Sequence, residues 1–243
     1  MKLDVMVFAA HPDDAELGMG GTIANLTSEG KKVGLIDLSA GELGSRGNAE
    51  TRKKEAEEST KILNLTYREN LGFPDGNLKP NLEFRKVIIS LIRKYKPEII
   101  FAPYNNDRHP DHIGVSMLIK EAMFFSGVTK YETKENGIIQ SAYRPKKLFY
   151  FMQTYEFQPS FIIDISNSFK KKMDAVYAFN TQFHNPDVES NGPETFISSP
   201  EFIKFLEARA KYFGFKIGKE YGEAFYSEEL MEYDLNILLE GAK

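Results

Sequence analysis

Three of the chain's four histidines stand in two short runs of similar build, His11-Pro12-Asp13-Asp14 and His109-Pro110-Asp111-His112. The sequence has no cysteine, so thiolate metal sites are excluded and imidazole and carboxylate are the ligands available. A catalytic metal takes three protein ligands and keeps a position open for water. His11, Asp14 and His112 supply such a set, which suits one zinc ion per chain. Asp13 then remains beside the water as a general base. His109, cationic and steadied by Asp111, would stabilise the oxyanion of a tetrahedral intermediate and protonate the leaving group. Chemistry of this kind hydrolyses an amide or an ester. His184 stands apart, next to Asn185 and Pro186, and reads as a surface histidine.

Either run alone would pass for a helix start with charges that favour the helix dipole. Their repetition in the same setting points further. Each follows a short apolar stretch, residues 3–9 or 98–102, and precedes a helix-like one, residues 15–29 or 113–125. Further strands are predicted at 33–38 and 67–71, and helices at 50–63 and 82–95. In the last of these Phe84, Val87, Ile88, Leu91 and Ile92 share one face. Such alternation predicts an α/β fold: a Rossmann-like, doubly wound, mostly parallel sheet with helices on both faces, in one domain over 1–243. In the strand order 3-2-1-4-5, strands one and four are neighbours at the topological switch point, where open sheets bind ligands. The two runs should therefore meet. Pro12 is expected at the first helical position, with Asp13 and Asp14 in the first turn.

Residues 39–48, with Gly41, Gly44 and Gly47, form a loop at another strand end and read as substrate-facing, with Glu42 and Arg46 as contacts. Arg52 falls in the first turn of the next helix, the wrong end of the dipole for a cation. It is therefore either paired or placed for an anion, and is a substrate-contact candidate. Arg108 and Arg209 are further cations able to meet a carboxylate. Gly18, Gly20 and Gly21 lack the dinucleotide-binding spacing and read as close helix packing. Beyond residue 127 the pattern loosens. Residues 131–144 read as a surface loop, 147–153 and 160–165 as strands, 167–179 and 201–217 as helices, and 221–225 as a last strand. Residues 181–200, broken by prolines and a glycine, read as a lid or subunit contact.

With 42% hydrophobic residues the chain can bury a sizeable core, and a net charge of −4 argues against a nucleic-acid surface. No apolar run approaches membrane-spanning length and no signal-peptide pattern is present, so a cytoplasmic protein is expected, without a membrane partner.

Ala10 to Asp14, the Gly-Glu-Leu-Gly-Ser-Arg-Gly loop at 41–47, Arg52 with Glu55, Arg108-His109-Pro110-Asp111-His112, and the closing Tyr221-Gly222-Glu223-Ala224-Phe225 together resemble the LmbE/PIG-L family of zinc-dependent N-acetylglucosamine deacetylases. Within it the chain looks nearest to the branch that deacetylates N-acetylglucosaminyl-malate in bacillithiol biosynthesis. The resemblance implies zinc on His11, Asp14 and His112, Asp13 as base, His109 with Asp111 at the charged intermediate, and a sugar contact from Arg52. It also implies an amino-sugar substrate and a homo-oligomer, trimer or hexamer. One departure is that some members bring a tyrosine to the oxyanion, whereas the corresponding region here holds Phe202. The alternatives are another N-acetylglucosamine substrate such as diacetylchitobiose, or a non-catalytic Rossmann-like binding protein. The latter is disfavoured because carboxylates at the switch point repel phosphate.

Overall fold

The computed structural model describes residues 1–184 and 192–232, which form an α/β fold around one large sheet. Strand β1 (Val5–Ala9) leads into α1 (Asp14–Ser28), β2 (Val33–Asp37) into α2 (Ala49–Leu63), β3 (Tyr67–Asn70) into α3 (Leu82–Tyr95), and β4 (Ile99–Pro103) into α4 (Pro110–Ser126). A small hairpin, β5 (Lys134–Glu135) and β6 (Ile138–Ile139), lies in the stretch expected to be a loop. There follow β7 (Lys147–Phe151), β8 (Phe161–Asp164), α5 (Phe169–Tyr177), a 3-10 turn Phe196–Ser198, α6 (Pro200–Lys216) and β9 (Gly222–Tyr226). Of the segment expected to act as a lid or contact, residues 185–191 lie outside the described residues. Among those described, no helix is long and apolar enough to cross a membrane.

The sheet runs β3-β2-β1-β4-β7-β9-β8. Its first five strands are parallel and in the expected order, with β7 as the fifth. Strand β9 inserts between β7 and β8, antiparallel to both. Register decides what meets at the sheet's carboxyl edge. Val5 pairs with Ile99 and Val7 with Phe101, so β1 and β4 end at the same level and their following turns lie side by side.

Strand β1 is buried on both faces, as a central parallel strand must be. Met6 and Phe8 pack with Ile88, Ile92, Val115 and Ile119 of α3 and α4. Val5 and Val7 pack with Met19, Ile23 and Ala175 of α1 and α5. Helix α1 lies unusually close to the sheet: a Cβ on Gly18 would fall 2.3 Å from Phe151, and one on Gly21 would fall 2.8 Å from Ile165.

Two buried ion networks fix the same helix from either side. Arg68 of β3 bonds Glu16 at 2.7 Å and Asp37 at 2.8 Å, and the Ser59 hydroxyl of α2 donates to Glu16 at 2.6 Å. Across the helix, Glu223 of β9 accepts from the Gly21 and Thr22 amides at 3.0 and 2.7 Å and pairs with Lys172 of α5 at 2.6 Å. Buried charges are tolerated only when paired and hydrogen-bonded in this way.

Candidate active site

The two His-Pro-Asp runs meet as expected, yet they are not built alike. In the second, Pro110 opens α4 and His109 is its cap, the Nδ1 atom accepting from the Asp111 amide at 3.2 Å. In the first, Pro12 does not enter the helix. Asp13 occupies the cap position at φ 117° and α1 starts at Asp14. A non-glycine residue in that region of backbone space costs on the order of 1–3 kcal/mol and persists where surrounding contacts over-determine it. Here they do. Arg52 donates to the Pro12 carbonyl at 2.7 Å and to the Asp13 carboxylate at 3.0 Å, and Asp14 accepts from the His11 amide at 2.8 Å.

The three imidazoles converge, with ring centroids 4.8 Å apart for His11 and His109, 5.6 Å for His11 and His112, and 5.0 Å for His109 and His112. Asp14 sits between the two expected ligands: its Oδ2 lies 3.5 Å from His11 Nδ1 and its Oδ1 lies 3.1 Å from His112 Nε2. Tetrahedral bonds of about 2.0–2.2 Å would set neighbouring ligand atoms roughly 3.3 Å apart, close to each of these two spacings taken singly. The far nitrogens fit as well. His112 Nδ1 lies 2.8 Å from Asp107, and His11 Nε2 lies 3.0 Å from Asp75 and 3.4 Å from Asp111. Outer carboxylates that take the second N–H of a ligating histidine fix its tautomer and raise its basicity. Among the described residues, the groups of three whose ligand atoms all fall within 4.8 Å of one another are His11 with His109 and His112, and His11 with Asp75 and Asp111; Asp14 is in neither.

The electrostatics point the same way. Burial works against charge on His11, but bonds with Asp111, Asp14 and Asp75 hold its pKa well above the usual value. Burial also opposes charge on His112, and Asp14 and Asp107 outweigh it, lifting the pKa to about 9. Despite its own burial, Asp14 is held well below the usual carboxylate range by the His112 charge and its bond to His11. A cluster of anions that draws protons onto two imidazoles is one in which a cation replaces those protons. Asp13 differs from Asp14: burial pushes it up to about 7, Arg52 pulling down and Asp14 pushing further up.

The expected pairing of a cationic His109 with the Asp111 carboxylate does not form. That carboxylate accepts from the Gly76 and Leu78 amides at 2.8 and 3.2 Å and faces His11, while only the Asp111 backbone reaches His109. Burial and the neighbouring His11 and His112 lower the His109 pKa, which favours a neutral ring. With Nδ1 accepting, that ring carries its proton on Nε2.

His11, Asp13, Asp14, His109 and His112 line a cavity of about 300 Å³. Arg52, Arg46, Arg108 and Arg209 line it as well, but they are used differently. Arg52 is buried and paired, one of the two uses its place on the helix left open, and its Nε has no hydrogen-bond partner among the described residues. Arg46 donates to the carbonyls of Thr181 at 2.7 Å and Pro193 at 3.0 Å, tying the glycine-rich loop to both flanks of the irregular segment. Arg209 donates to the Gln153 and Leu17 carbonyls. Arg108 is exposed at the rim, 4.5 Å from the centre of the Phe196 ring, with no hydrogen bond or salt bridge among the described residues. Glu42 does not line the cavity; it accepts from the Asp75 amide at 2.9 Å. Phe202 does line it, and no tyrosine does among the described residues.

Sequence reasoning missed Asp75 and Asp107. Asp107 accepts from the His109 amide at 3.0 Å and the Thr154 amide at 2.7 Å as well as facing His112. Its signal was its place just ahead of the second run. Asp75 stood in a Phe-Pro-Asp-Gly turn and read as turn chemistry alone.

The family model for GlcNAc-PI de-N-acetylase, PIG-L, matches residues 6–123, which hold both runs and Arg52. The chain is 29% identical over 229 residues to diacetylchitobiose deacetylase of Thermococcus kodakarensis, covering 90% of this chain and 80% of that protein. It is 27% identical over 199 residues to a protein of Bacillus cereus named "Probable N-acetyl-alpha-D-glucosaminyl L-malate deacetylase 2", covering 75% and 84%. Among solved structures, the conserved protein TT1542 of Thermus thermophilus superposes with a TM-score of 0.85 at 36% identity, covering 96% of this chain and 97% of that one.

Proposed function

We propose that this chain, which matches the PIG-L family model over residues 6–123, hydrolyses the acetamide of an N-acetylglucosamine conjugate at a zinc centre held by His11, Asp14 and His112. Diacetylchitobiose is the first substrate to test. The expected bacillithiol branch has the weaker support, since the diacetylchitobiose deacetylase matches more of this chain at higher identity than the malate deacetylase does. The malate conjugate stays as a second reading on one observation, the Arg108 guanidinium at the cavity rim, which lies over Phe196 and has no hydrogen bond or salt bridge among the described residues.

The observation that carries the reading is Asp14 between two imidazoles with Asp13 one residue away. The chemistry a divalent ion supplies at such a set is Lewis acidity and a lowered water pKa. The rest falls to the chain. Asp13, fixed by Arg52, takes a proton from the attacking water. The neutral His109 presents Nε2–H to the carbonyl oxygen as negative charge develops there, in the role that oxyanion donors fill. Collapse breaks the C–N bond, the sugar nitrogen recovers a proton from Asp13, and acetate leaves. Metal analysis followed by acetate release from diacetylchitobiose, N-acetylglucosaminyl-malate and N-acetylglucosamine tests the proposal. Release from at least one in a metal-dependent manner is expected, and a protein that neither binds zinc nor releases acetate overturns it.

A further inference from the structure

We propose that Asp75 is a positioning residue that couples the glycine-rich loop at 41–47 to the ligand His11, so that metal retention and loop order change together. The inference rests on the assignment of His11 as a metal ligand and extends it to a residue outside the two His-Pro-Asp runs.

Asp75 comes from the turn after β3, in a separate part of the chain from either partner. Its side chain is 7% exposed. One oxygen, Oδ1, lies 3.0 Å from His11 Nε2 and accepts from the Gly76 amide at 2.9 Å. The other, Oδ2, accepts from the Leu43 amide at 2.9 Å. The loop answers with a return contact, Glu42 accepting from the Asp75 amide at 2.9 Å. Gly76, at φ 73°, lies directly under the loop, since a Cβ there would come within 3.0 Å of Leu43 Cδ1. Asp111 also faces His11 Nε2, but at 3.4 Å, and its amide donors are Gly76 and Leu78 rather than the loop. Asp75 is thus the carboxylate that touches both sides.

The two sides belong to different tasks. By holding the proton of His11 on Nε2, Asp75 leaves Nδ1 turned to Asp14 as the ligating atom. By holding Leu43, it places Gly44, Ser45 and Arg46, which line the cavity wall. A metal that fixes the His11 ring fixes the Asp75 carboxylate, and with it the loop that meets substrate.

The test is hydrogen exchange over residues 41–47 with and without zinc, together with zinc affinity by chelator competition, on the unsubstituted protein and on Asp75→Asn. In the unsubstituted protein zinc should raise protection of the loop. In Asp75→Asn, one of the two donors loses its acceptor: zinc affinity should fall about 10–100-fold, the usual cost of losing an outer-sphere partner, and zinc should no longer protect the loop. At saturating zinc the variant should also show a raised KM. Glu42→Gln, which leaves the His11 contact in place, should weaken loop protection while zinc affinity stays within about twofold of the unsubstituted protein, and it serves if Asp75→Asn does not fold. Zinc-induced protection that is absent in the unsubstituted protein, or equal in both variants, overturns the coupling. Failure of the unsubstituted protein to bind zinc overturns the metal centre itself, which is a separate outcome.

Discussion

Arg52 Nη2 lies 3.0 Å from Asp13 Oδ2 and 2.7 Å from the Pro12 carbonyl, while Nη1 reaches the Gly41 carbonyl at 3.2 Å. One guanidinium therefore fixes the proposed base, the strained turn that carries it and the start of the glycine-rich loop. Gly41 is at φ 67°, and a Cβ there would lie 1.8 Å from Arg52 Nη1, so the loop accepts only glycine at this point.

Asp13→Asn keeps the shape of the carboxylate and removes its basicity. Zinc content is expected to stay at the level of the unsubstituted protein while kcat falls about 10²–10⁴-fold, the range for loss of a general base. Metal analysis alongside initial rates checks this, and unchanged turnover would place the base elsewhere.

Asp107→Asn acts on His112, the other imidazole of the proposed ligand set. Its Oδ1 lies 2.8 Å from His112 Nδ1, so the substitution loosens both the tautomer and the ring orientation. Zinc affinity is expected to fall about 10–100-fold. Competition with a chromophoric chelator reads the loss directly. Affinity within a factor of two would show that His112 is oriented by other contacts.

Arg108→Gln separates the two substrate readings. A charge-assisted hydrogen bond to a carboxylate contributes about 1.5–3 kcal/mol, and an exposed rim position favours the lower end, close to tenfold in KM. The KM for N-acetylglucosaminyl-malate is expected to rise by that factor, with diacetylchitobiose little changed. Equal effects on both would assign Arg108 to packing against Phe196.

Lys172→Met leaves the Glu223 carboxylate buried without its cation. The three donors from Gly21 and Thr22 remain, so a loss of about 3 kcal/mol is expected, at the low end for a broken buried pair, and Lys172→Met with Glu223→Gln should recover part of it. The sign of the pH dependence follows from burial, which lowers the Lys172 pKa below 10.5 despite Glu223. Between the folded value and 10.5 the unfolded chain binds the extra proton, so the unsubstituted protein gains stability from this group as pH rises through that window. The deficit of Lys172→Met should widen there, as urea unfolding at about pH 8 and about pH 10 would show.

The parts of the site that could be read from sequence were those carried by local order. An apolar strand, a charged turn and a helix, written twice, place His11 beside His112 once the strand order is known, because β1 and β4 end in register. What could not be read were partners supplied from elsewhere in the chain. Asp75 is 64 residues from His11, and no periodicity links the two. The contrast between the two turns was equally hidden. Pro12 and Pro110 look interchangeable, and Arg52, from a different helix, helps to hold Asp13 out of the helical path. A last strand was expected at 221–225, but the place of β9 between β7 and β8 depends on long-range pairing with no local trace.

Gly18 and Gly21 press α1 so closely on Phe151 and Ile165 that the helix carrying Asp14 has no room to slide or to take a bulkier residue at either point. The chemical floor is in that sense frozen, while the walls above it come from residues 43–46 and 195–197 and from the start of α6. A lineage that retailors this scaffold can rewrite the walls at 195–197 and at the start of α6 with the machinery beneath untouched, whereas the wall at 43–46 is tied to that machinery through Asp75 and Arg52.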